Sequence, residues 1–172
     1  MIQVKDVLKS FDGNVVLNHI TANFEDGKVN MIIGQSGSGK TVLMKSMIGL
    51  HQIDGGEIVF DTRNGQQNLA GMTEKEVRML HREVGMLFQG AALFDSMTVQ
   101  ENVLFPLEMF SQMDKEEMVE RARFCLTRVN MPERAFGLMP SEISGGMQKR
   151  VAIARAIALN PRYLFCDEPN SG

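Results

Sequence analysis

The chain has 172 residues, 44% of them hydrophobic, and a formal net charge of -3, values typical of a soluble globular domain. It contains no run of lysines and arginines that would indicate nucleic-acid binding, and no basic leader or apolar stretch long enough to span a membrane. Its two cysteines lie far apart in apolar segments, so we expect reduced core thiols rather than a disulfide framework.

The first 30 residues predict short strands in a small antiparallel layer, because the turn-forming clusters FDGN and EDGK interrupt them. The apolar run VNMII, residues 29–33, predicts a further strand that ends at a glycine-rich loop, GQSGSGKT. In the next segment, KTVLMKSMIGL, the residues Leu43, Met47 and Leu50 share one face of a helix. The order of strand, glycine loop and helix is typical of a phosphate-binding loop.

Strands and helices alternate along the middle of the chain. EIVF predicts a strand and the polar stretch TRNGQQNLAGM a loop, after which Thr73 and Glu76 have the spacing of a helix-opening capping box. VGMLFQ predicts a buried strand that ends at Gln89.

Residues 98–130 predict a mostly helical insertion in an α/β core. Thr98 and Glu101 repeat the capping-box spacing, and Pro106 is expected to kink or interrupt the helix that follows. Asp114 precedes a second helix. The apolar face of this second helix comprises Met118, Ala122, Cys125 and Val129.

Residues 34–41 match the pattern of two glycines, a lysine and a hydroxyl residue at the fixed spacing of a phosphate-binding loop. In such a loop the backbone N–H groups of residues 37–40 surround phosphate oxygens. Lys40 would neutralise the β- and γ-phosphates, and Thr41 would bind Mg²⁺. The segment therefore predicts a nucleoside triphosphate site.

Acidic residues follow the last predicted strand, in YLFCDEP. In phosphate-loop enzymes an aspartate at this place holds the magnesium site and a second acid orients the attacking water, roles that fall to Asp167 and Glu168. Gln89, at the end of its own strand, is a candidate to sense the magnesium ion or the water. We therefore expect Thr41, Gln89 and Asp167 to serve the metal, and Glu168, Lys40 and Gln89 to serve hydrolysis.

The segment SEISGGMQKR, residues 141–150, is a second candidate for phosphate binding. Ser144 caps a helix predicted to run from Gly145 to about Leu159. The serine cap, the close approach that Gly145 and Gly146 allow, and the unpaired N–H groups at the positive end of the helix all favour an anion.

Four segments in this order, GQSGSGKT, LFQG, ISGGMQKR and YLFCDEP, resemble the nucleotide-binding domains of ABC ATPases over nearly the whole chain. The resemblance implies one P-loop α/β domain of residues 1–172, with an N-terminal antiparallel β layer and a parallel core sheet. A helical subdomain of about residues 90–145 is expected as an insertion in that core. The family motif is usually written LSGGQ; here Ile143 replaces its leucine and Met147 its glutamine, with Gln148 next.

In that family two domains pair head to tail, so the resemblance implies that Ser144, Gly145 and Gly146 contact the ATP held by a second copy of the chain. Phe11 matches the aromatic residue that stacks on adenine, with Val16 beside the base. ATP and Mg²⁺ are the implied cofactors. The implied ATP-binding set is Phe11, Val16, Gly34, Ser36, Gly37, Ser38, Gly39, Lys40, Thr41 and Val42.

The resemblance also implies a membrane partner. LFDSMTVQENVLFPLEMF resembles the segment with which transporter ATPases grip a separate transmembrane permease. The short stretch between Gln89 and Ser144 leaves no room for the coiled-coil arm or zinc module of DNA-repair relatives. We therefore expect a cytoplasmic subunit, held at the inner face of the membrane by its permease, with no nucleic-acid partner.

Two longer segments bear on the cargo. VGMLFQGAALFDSMTVQENVLFPLE and MPSEISGGMQKRVAIARAIALNP look most like the ATPase subunits of Mla/Mce-type lipid transporters, the toluene-tolerance group. ATPases of amino-acid or methionine uptake, or of lipoprotein release, are alternatives. Soluble ABC ATPases that act on DNA or ribosomes are a more distant alternative.

The chain ends at DEPNSG, ahead of the dimer-contact loop, the further strand and the switch histidine of the family. None of His19, His51 or His81 occupies the place of that histidine. We therefore expect a C-terminally truncated domain with an incomplete core sheet. In such a domain residues 29–33 would form an exposed apolar edge, and little ATP would be hydrolysed.

Overall fold

The computed structural model describes residues 1–167, which fall into two compact units, Met1–His81 and a second that begins at Arg82. The first unit contains a four-stranded antiparallel sheet with strand order β2-β1-β3-β4. Its strands are β1 (Ile2–Phe11), β2 (Asn14–Phe24), β3 (Gly55–Thr62) and β4 (Gly65–Asn68). The expected N-terminal antiparallel layer is thus confirmed.

A tight hairpin joins β1 to β2. Asp12 and Gly13 both have positive φ, 48° and 81°, and they connect Phe11 to its cross-strand neighbour Asn14. An aspartate-glycine pair in this conformation matches the natural twist of two antiparallel strands. The hairpin therefore holds Phe11 at the very end of β1.

Residues 29–33 were predicted as a strand, and this prediction is wrong for the structure. The segment has no strand assignment, and Val29, Met31 and Ile33 are 95%, 76% and 85% exposed. A strand persists only when its backbone N–H and C=O groups pair with a neighbour, and no strand of the first unit runs beside this one. Residues 29–33 thus have the apolar pattern of a strand but no neighbouring strand in the first unit with which to pair.

Two further elements of the first unit are helices. Helix α1 (Lys40–Met47) follows the glycine loop, and α2 (Glu74–Leu80) opens with the expected capping box at Thr73. Leu43 and Met47 are buried, as predicted, but Leu50 is exposed because α1 has already ended at Met47. The polar stretch after β3, predicted as a loop, instead forms the hairpin strand β4 and a short 3₁₀ turn, Leu69–Gly71.

The second unit combines a parallel strand pair with three helices. Strands β5 (Val84–Leu87) and β6 (Tyr163–Cys166) pair in parallel, and the helices are α3 (Val99–Phe110), α4 (Lys115–Arg128) and α5 (Gly145–Ala156). Their apolar faces meet in one core. Its buried members include Val99, Val103, Leu107, Ala122, Cys125, Leu126, Val151 and Ala154.

The predicted capping box at Thr98 is formed, and Asp114, which was predicted to precede a helix, forms a further capping box with Glu117. Pro106 does not end α3, which continues to Phe110 because Val103 and Leu107 on either side of it are fully buried in the core. Helix α5 is shorter than predicted, ending at Ala156, and β5 ends before Gln89.

The described part of the chain contains no helix that is both long and apolar enough to cross a membrane. Cys125 is a buried free thiol, as predicted, whereas Cys166 is exposed. The strand β6 that carries Cys166 pairs with β5, so its alternate side chains point to opposite faces, and Phe165 rather than Cys166 is buried.

Candidate functional site

The phosphate loop of residues 34–39 lies directly before α1. Gly37 and Gly39 have φ of 77° and 91°, a backbone conformation that favours glycine. A side chain on Gly39 would approach the Val16 carbonyl oxygen at 3.1 Å, and one on Gly34 would lie 2.6 Å from Ser38 Oγ. A side chain on Gly37 would meet nothing. Glycine is thus favoured at position 37 by the backbone conformation, at position 34 by close packing, and at position 39 by both.

Lys40, the first residue of α1, folds back over this loop. Its Nζ donates hydrogen bonds to the carbonyl oxygens of Gly34 at 2.9 Å and Gln35 at 2.8 Å. The Ser38 N–H also donates to the Gln35 oxygen, at 3.2 Å. The ammonium group is therefore held inside the loop by two neutral oxygens, which phosphate oxygens can replace with stronger charge-assisted bonds.

Val16 lies against the loop, as the contact between its carbonyl and the Gly39 position indicates. A cleft of about 590 Å³ opens beside it, lined by Val16, Ile33, Ser38, Gly39 and Lys40 among others. The structure thus brings Val16 together with the phosphate loop. Phe11, 38% exposed, does not line this cleft; it lies at the end of β1 with Lys9 and His51 around its ring.

Gln89 and Asp167 follow the two parallel strands of the second unit. Leu87 pairs with Cys166 at the carboxyl ends of β5 and β6, and the Asp167 N–H donates to the Leu87 oxygen at 2.9 Å. Asp167 is buried and Gln89 is exposed. The parallel pairing therefore places both predicted residues at one edge of the sheet. Glu168 lies outside the described residues.

The oxygen donors named from the sequence fit a hard cation. A hydroxyl from Thr41, an amide oxygen from Gln89 and a carboxylate from Asp167 are ligand types that Mg²⁺ accepts, together with water and phosphate. Within residues 1–167 no group of three or more His, Cys, Asp or Glu side chains could hold a metal ion.

Helix α5 begins as the sequence predicts. Ser144 is its N-cap, and Ser144 Oγ accepts a hydrogen bond from the Met147 N–H at 3.3 Å. Ser144, Gly145 and Gly146 are all exposed, and a side chain added at either glycine would meet nothing within 4 Å. Packing within the chain thus gives no reason for glycine here, and the helix start is open to another molecule.

The departure from the family motif also has a structural basis. Met147 is half-buried and packs against the core of the second unit. Gln148 donates from Nε2 to the Pro140 oxygen at 2.8 Å, so its amide is held by its own chain. Neither side chain is therefore available as a simple replacement for the motif's glutamine.

The loop after Gln89 has an unusual backbone. Gly90, Ala91 and Ala92 have φ of 77°, 66° and 46°, although the alanines are disfavoured in this region. Arg155 of α5 donates from Nη2 to the Ala91 oxygen at 3.0 Å, and its guanidinium lies 5.6 Å from the centre of the Phe94 ring. Burial lowers the pKa of Arg155 from its ordinary value. Sequence reasoning missed this arginine.

Phe94, in the segment expected to contact a permease, is 40% exposed, and its ring lies 4.8 Å from that of Phe105. Its neighbour Leu93 is half-buried against the core. Below the loop, the fully buried amide of Asn102 donates from Nδ2 to the oxygens of Phe94, Met97 and Thr98 at 3.0 to 3.1 Å. Asn102 was also missed, although its place among the apolar positions of α3 marked it as a buried polar residue.

Comparison with known proteins places these features in context. A family model described as ABC transporter matches residues 17–171. The chain is 40% identical over 171 residues to the glutamine transport ATP-binding protein GlnQ of Escherichia coli (strain K12), covering 99% of the chain and 69% of GlnQ. It is 38% identical to the methionine import ATP-binding protein MetN of Clostridium tetani (strain Massachusetts / E88), covering 99% of the chain and 52% of MetN.

A third relative is the probable ribonucleotide transport ATP-binding protein mkl of Mycobacterium leprae (strain TN), 36% identical over 99% of the chain and 48% of mkl. The chain thus spans about half the length of MetN and mkl. Among solved structures, it matches a dimeric post-hydrolysis state of the ATP-binding cassette MJ0796 bound to ADP and Pi. That match has a TM-score of 0.89 and 32% identity, and it covers 99% of the chain and 75% of the cassette.

Proposed function

Because the chain belongs to the ABC transporter family of ATP-binding proteins, we propose that it binds and hydrolyses ATP to drive a membrane transporter. The observation that carries the proposal is the presence of two candidate phosphate-binding elements in one chain. Two carbonyl oxygens of residues 34–39 hold the Lys40 ammonium, and the space beside Gly145 and Gly146 at the start of α5 is open.

In the proposed site, the loop and Lys40 bind the phosphates of ATP, Phe11 and Val16 accommodate the base, and Thr41 holds Mg²⁺. The ion would draw charge from the transferred phosphate. Asp167 and Gln89 are assigned to the metal and Glu168 to the attacking water. Ser36, Gly37, Ser38 and Val42 complete the proposed set of ATP contacts.

The second element is proposed to serve the ATP of a second copy of the chain, in a head-to-tail dimer. Support comes from Gly145 and Gly146, where an added side chain would meet no described atom within 4 Å, and from the dimeric form of the similar cassette MJ0796. N–H groups at a helix start, with the positive end of the helix dipole, favour the negative charge of a γ-phosphate.

A complementation experiment tests the composite site on the intact protein. Lys40→Ala disables phosphate binding in its own subunit, and Ser144→Arg obstructs the ATP of the partner. Each homodimer should therefore be inactive. A disulfide-linked heterodimer of the two variants has one site with both defects and one with neither, so it should hydrolyse ATP in a single turnover. A link between two Lys40→Ala subunits is the matched control.

Two results would contradict the composite site. Ser144→Arg monomers that hydrolyse ATP at the wild-type rate would leave residues 144–146 as an ordinary helix cap. A heterodimer as inactive as its control, while the linked wild-type dimer is active, would show that Ser144 does not act in the opposite subunit.

The proposed membrane partner is a separate permease that docks on the surface of residues 89–97 and the adjoining part of α3. The exposed Phe94 ring, its contact with Phe105 and the rigid support from Asn102 favour this surface. The surface lies in the proposed helical subdomain, about residues 90–145. Docking there would hold the ATPase at the inner face of the membrane.

For the cargo, we propose a phospholipid or related lipid of an Mla/Mce-type transporter, supported by the likeness of residues 84–108 and 139–161 to those ATPases. The names of GlnQ and MetN favour amino-acid or methionine import as the second candidate. ATPase stimulation of the protein with its permease, measured with phospholipid vesicles and with amino acids, separates the two.

A further inference from the structure

The ring of Phe11 contacts the ammonium group of Lys9, an interaction that the sequence pattern does not reveal. Lys9 and Phe11 are two residues apart on β1, so their side chains leave the same face of the strand. The Lys9 ammonium lies 5.1 Å from the centre of the Phe11 ring. A cation at this distance over an aromatic face is attracted to the ring.

Asp54, in the segment between α1 and β3, holds this ammonium in place. Its Oδ1 accepts a hydrogen bond from Lys9 Nζ at 2.8 Å, and its Oδ2 accepts one from the Ser10 N–H at 2.6 Å. The Asp54 N–H donates in turn to the Leu8 oxygen at 2.8 Å. These contacts tie both carboxylate oxygens and the backbone of Asp54 to β1.

The side chain of Lys9 is only 13% exposed, in contrast to the usual freedom of a surface lysine. The hydrogen bond from Lys9, followed by that from Ser10, lowers the pKa of Asp54 below its ordinary value. The carboxylate therefore remains charged at neutral pH. The position of the Lys9 ammonium is set before any ligand arrives.

His51 also packs against the Phe11 ring. Its imidazole lies 5.4 Å from the Phe11 ring, at an interplanar angle of 76°. The backbone N–H of His51 donates to the Lys45 carbonyl oxygen at 3.3 Å, which attaches this residue to the last turn of α1. Helix α1 begins at Lys40, directly after the phosphate loop. The same helix therefore connects that loop to His51, whose imidazole contacts Phe11.

We propose that Lys9, fixed by Asp54, is a positioning residue that sets the Phe11 ring to receive the purine base of the nucleotide on its remaining face. The inference rests on the proposed stacking role of Phe11. Because Lys9 lies over one face of the ring, the base is assigned to the opposite face. A ring held in advance loses less conformational freedom on binding, and this increases affinity for the base.

The test compares two ligands that share phosphates but differ in the base, ATP and inorganic tripolyphosphate, by titration calorimetry on the intact protein. Lys9→Met keeps the apolar stem and removes the charge, so ATP affinity should fall by about three- to tenfold, as expected for loss of a cation–π contact. Tripolyphosphate affinity should stay unchanged. Lys9→Arg should restore ATP binding, and Asp54→Asn should give an intermediate loss.

Phe11→Ala separates this inference from the proposed function. If Phe11→Ala leaves ATP affinity unchanged, the stacking role itself is wrong. Suppose that Phe11→Ala lowers the affinity for ATP but not for tripolyphosphate, while Lys9→Met binds ATP as tightly as the wild type. The stacking role of Phe11 would then stand, and the positioning role of Lys9 would be overturned. Lys9→Met should have no further effect in the Phe11→Ala background; an equal loss there, or a loss of tripolyphosphate binding, would also overturn it.

Discussion

Asn102 and Phe94 are joined by two hydrogen bonds, from the Phe94 N–H to Asn102 Oδ1 at 2.8 Å and from Asn102 Nδ2 to the Phe94 oxygen at 3.1 Å. Asn102→Ala should destabilise the protein by about 2 to 4 kcal/mol, because it leaves several backbone groups without their partner. Urea unfolding measures the loss. Glu108→Ala, on the exposed side of α3, is the matched control and should change stability by less than about 0.5 kcal/mol.

Phe94→Asp should release the permease while ATP binding persists, because it places a charge in the exposed apolar surface proposed for docking. Co-purification from membranes measures the release. Phe124→Asp is the control, since Phe124 is also exposed but lies on α4. Equal permease recovery with both variants would argue against docking at Phe94.

Glu168→Gln should bind Mg-ATP normally and accumulate as a closed dimer, because it keeps the shape of the side chain and removes the charge that orients water. Steady-state hydrolysis should fall by about 100-fold or more, within the range of general-base catalysis. Size-exclusion chromatography with ATP detects the dimer. Hydrolysis near the wild-type rate would remove Glu168 from the mechanism.

Ser46→Ala should stabilise the protein by about 1 kcal/mol. The Ser46 side chain is fully buried in α1, and its hydroxyl has no hydrogen-bond partner among the described residues. A buried hydroxyl without a partner carries a desolvation cost that alanine does not, and alanine also favours the helix. Thermal unfolding should show a higher Tm for Ser46→Ala; a decrease would indicate that the hydroxyl is satisfied.

Gly85→Ala should destabilise the protein by at least about 2 kcal/mol. An added Cβ would lie 2.3 Å from the Ala156 carbonyl oxygen, where β5 passes the end of α5, and backbone cannot yield as a flexible side chain does. Gly137→Ala is the control, because a side chain there meets nothing. Equal unfolding midpoints for the two variants would contradict the close contact.

The elements that were predicted correctly depend on interactions between residues close in sequence. The predicted capping boxes at Thr73 and Thr98 each close over three residues, and both form. The Ser144 cap and the glycine loop are local in the same sense. Such signals can be read from a sequence because the partner residue is always a few positions away.

The errors arise where a residue depends on a distant partner. Residues 29–33 have the composition of a strand, but a strand also needs a neighbour to pair with. The roles of Asp54 and Arg155 depend on contacts with Lys9 and Ala91, which only the fold brings close. The parallel core sheet is the exception: β5 and β6 are far apart in sequence, and their parallel pairing was expected from the family resemblance.

The positive φ angles of Gly90, Ala91 and Ala92 mean that the loop after Gln89 contains backbone strain at its two alanines. Each alanine in this conformation costs about 1 to 2 kcal/mol, and glycine at the same positions would avoid that cost without changing the path of the chain. The loop is therefore less stable than the sequence could make it, and the Arg155 hydrogen bond to Ala91 opposes its relaxation. A shift of α5 that lengthened this hydrogen bond would remove one of the contacts that hold the strained backbone in place.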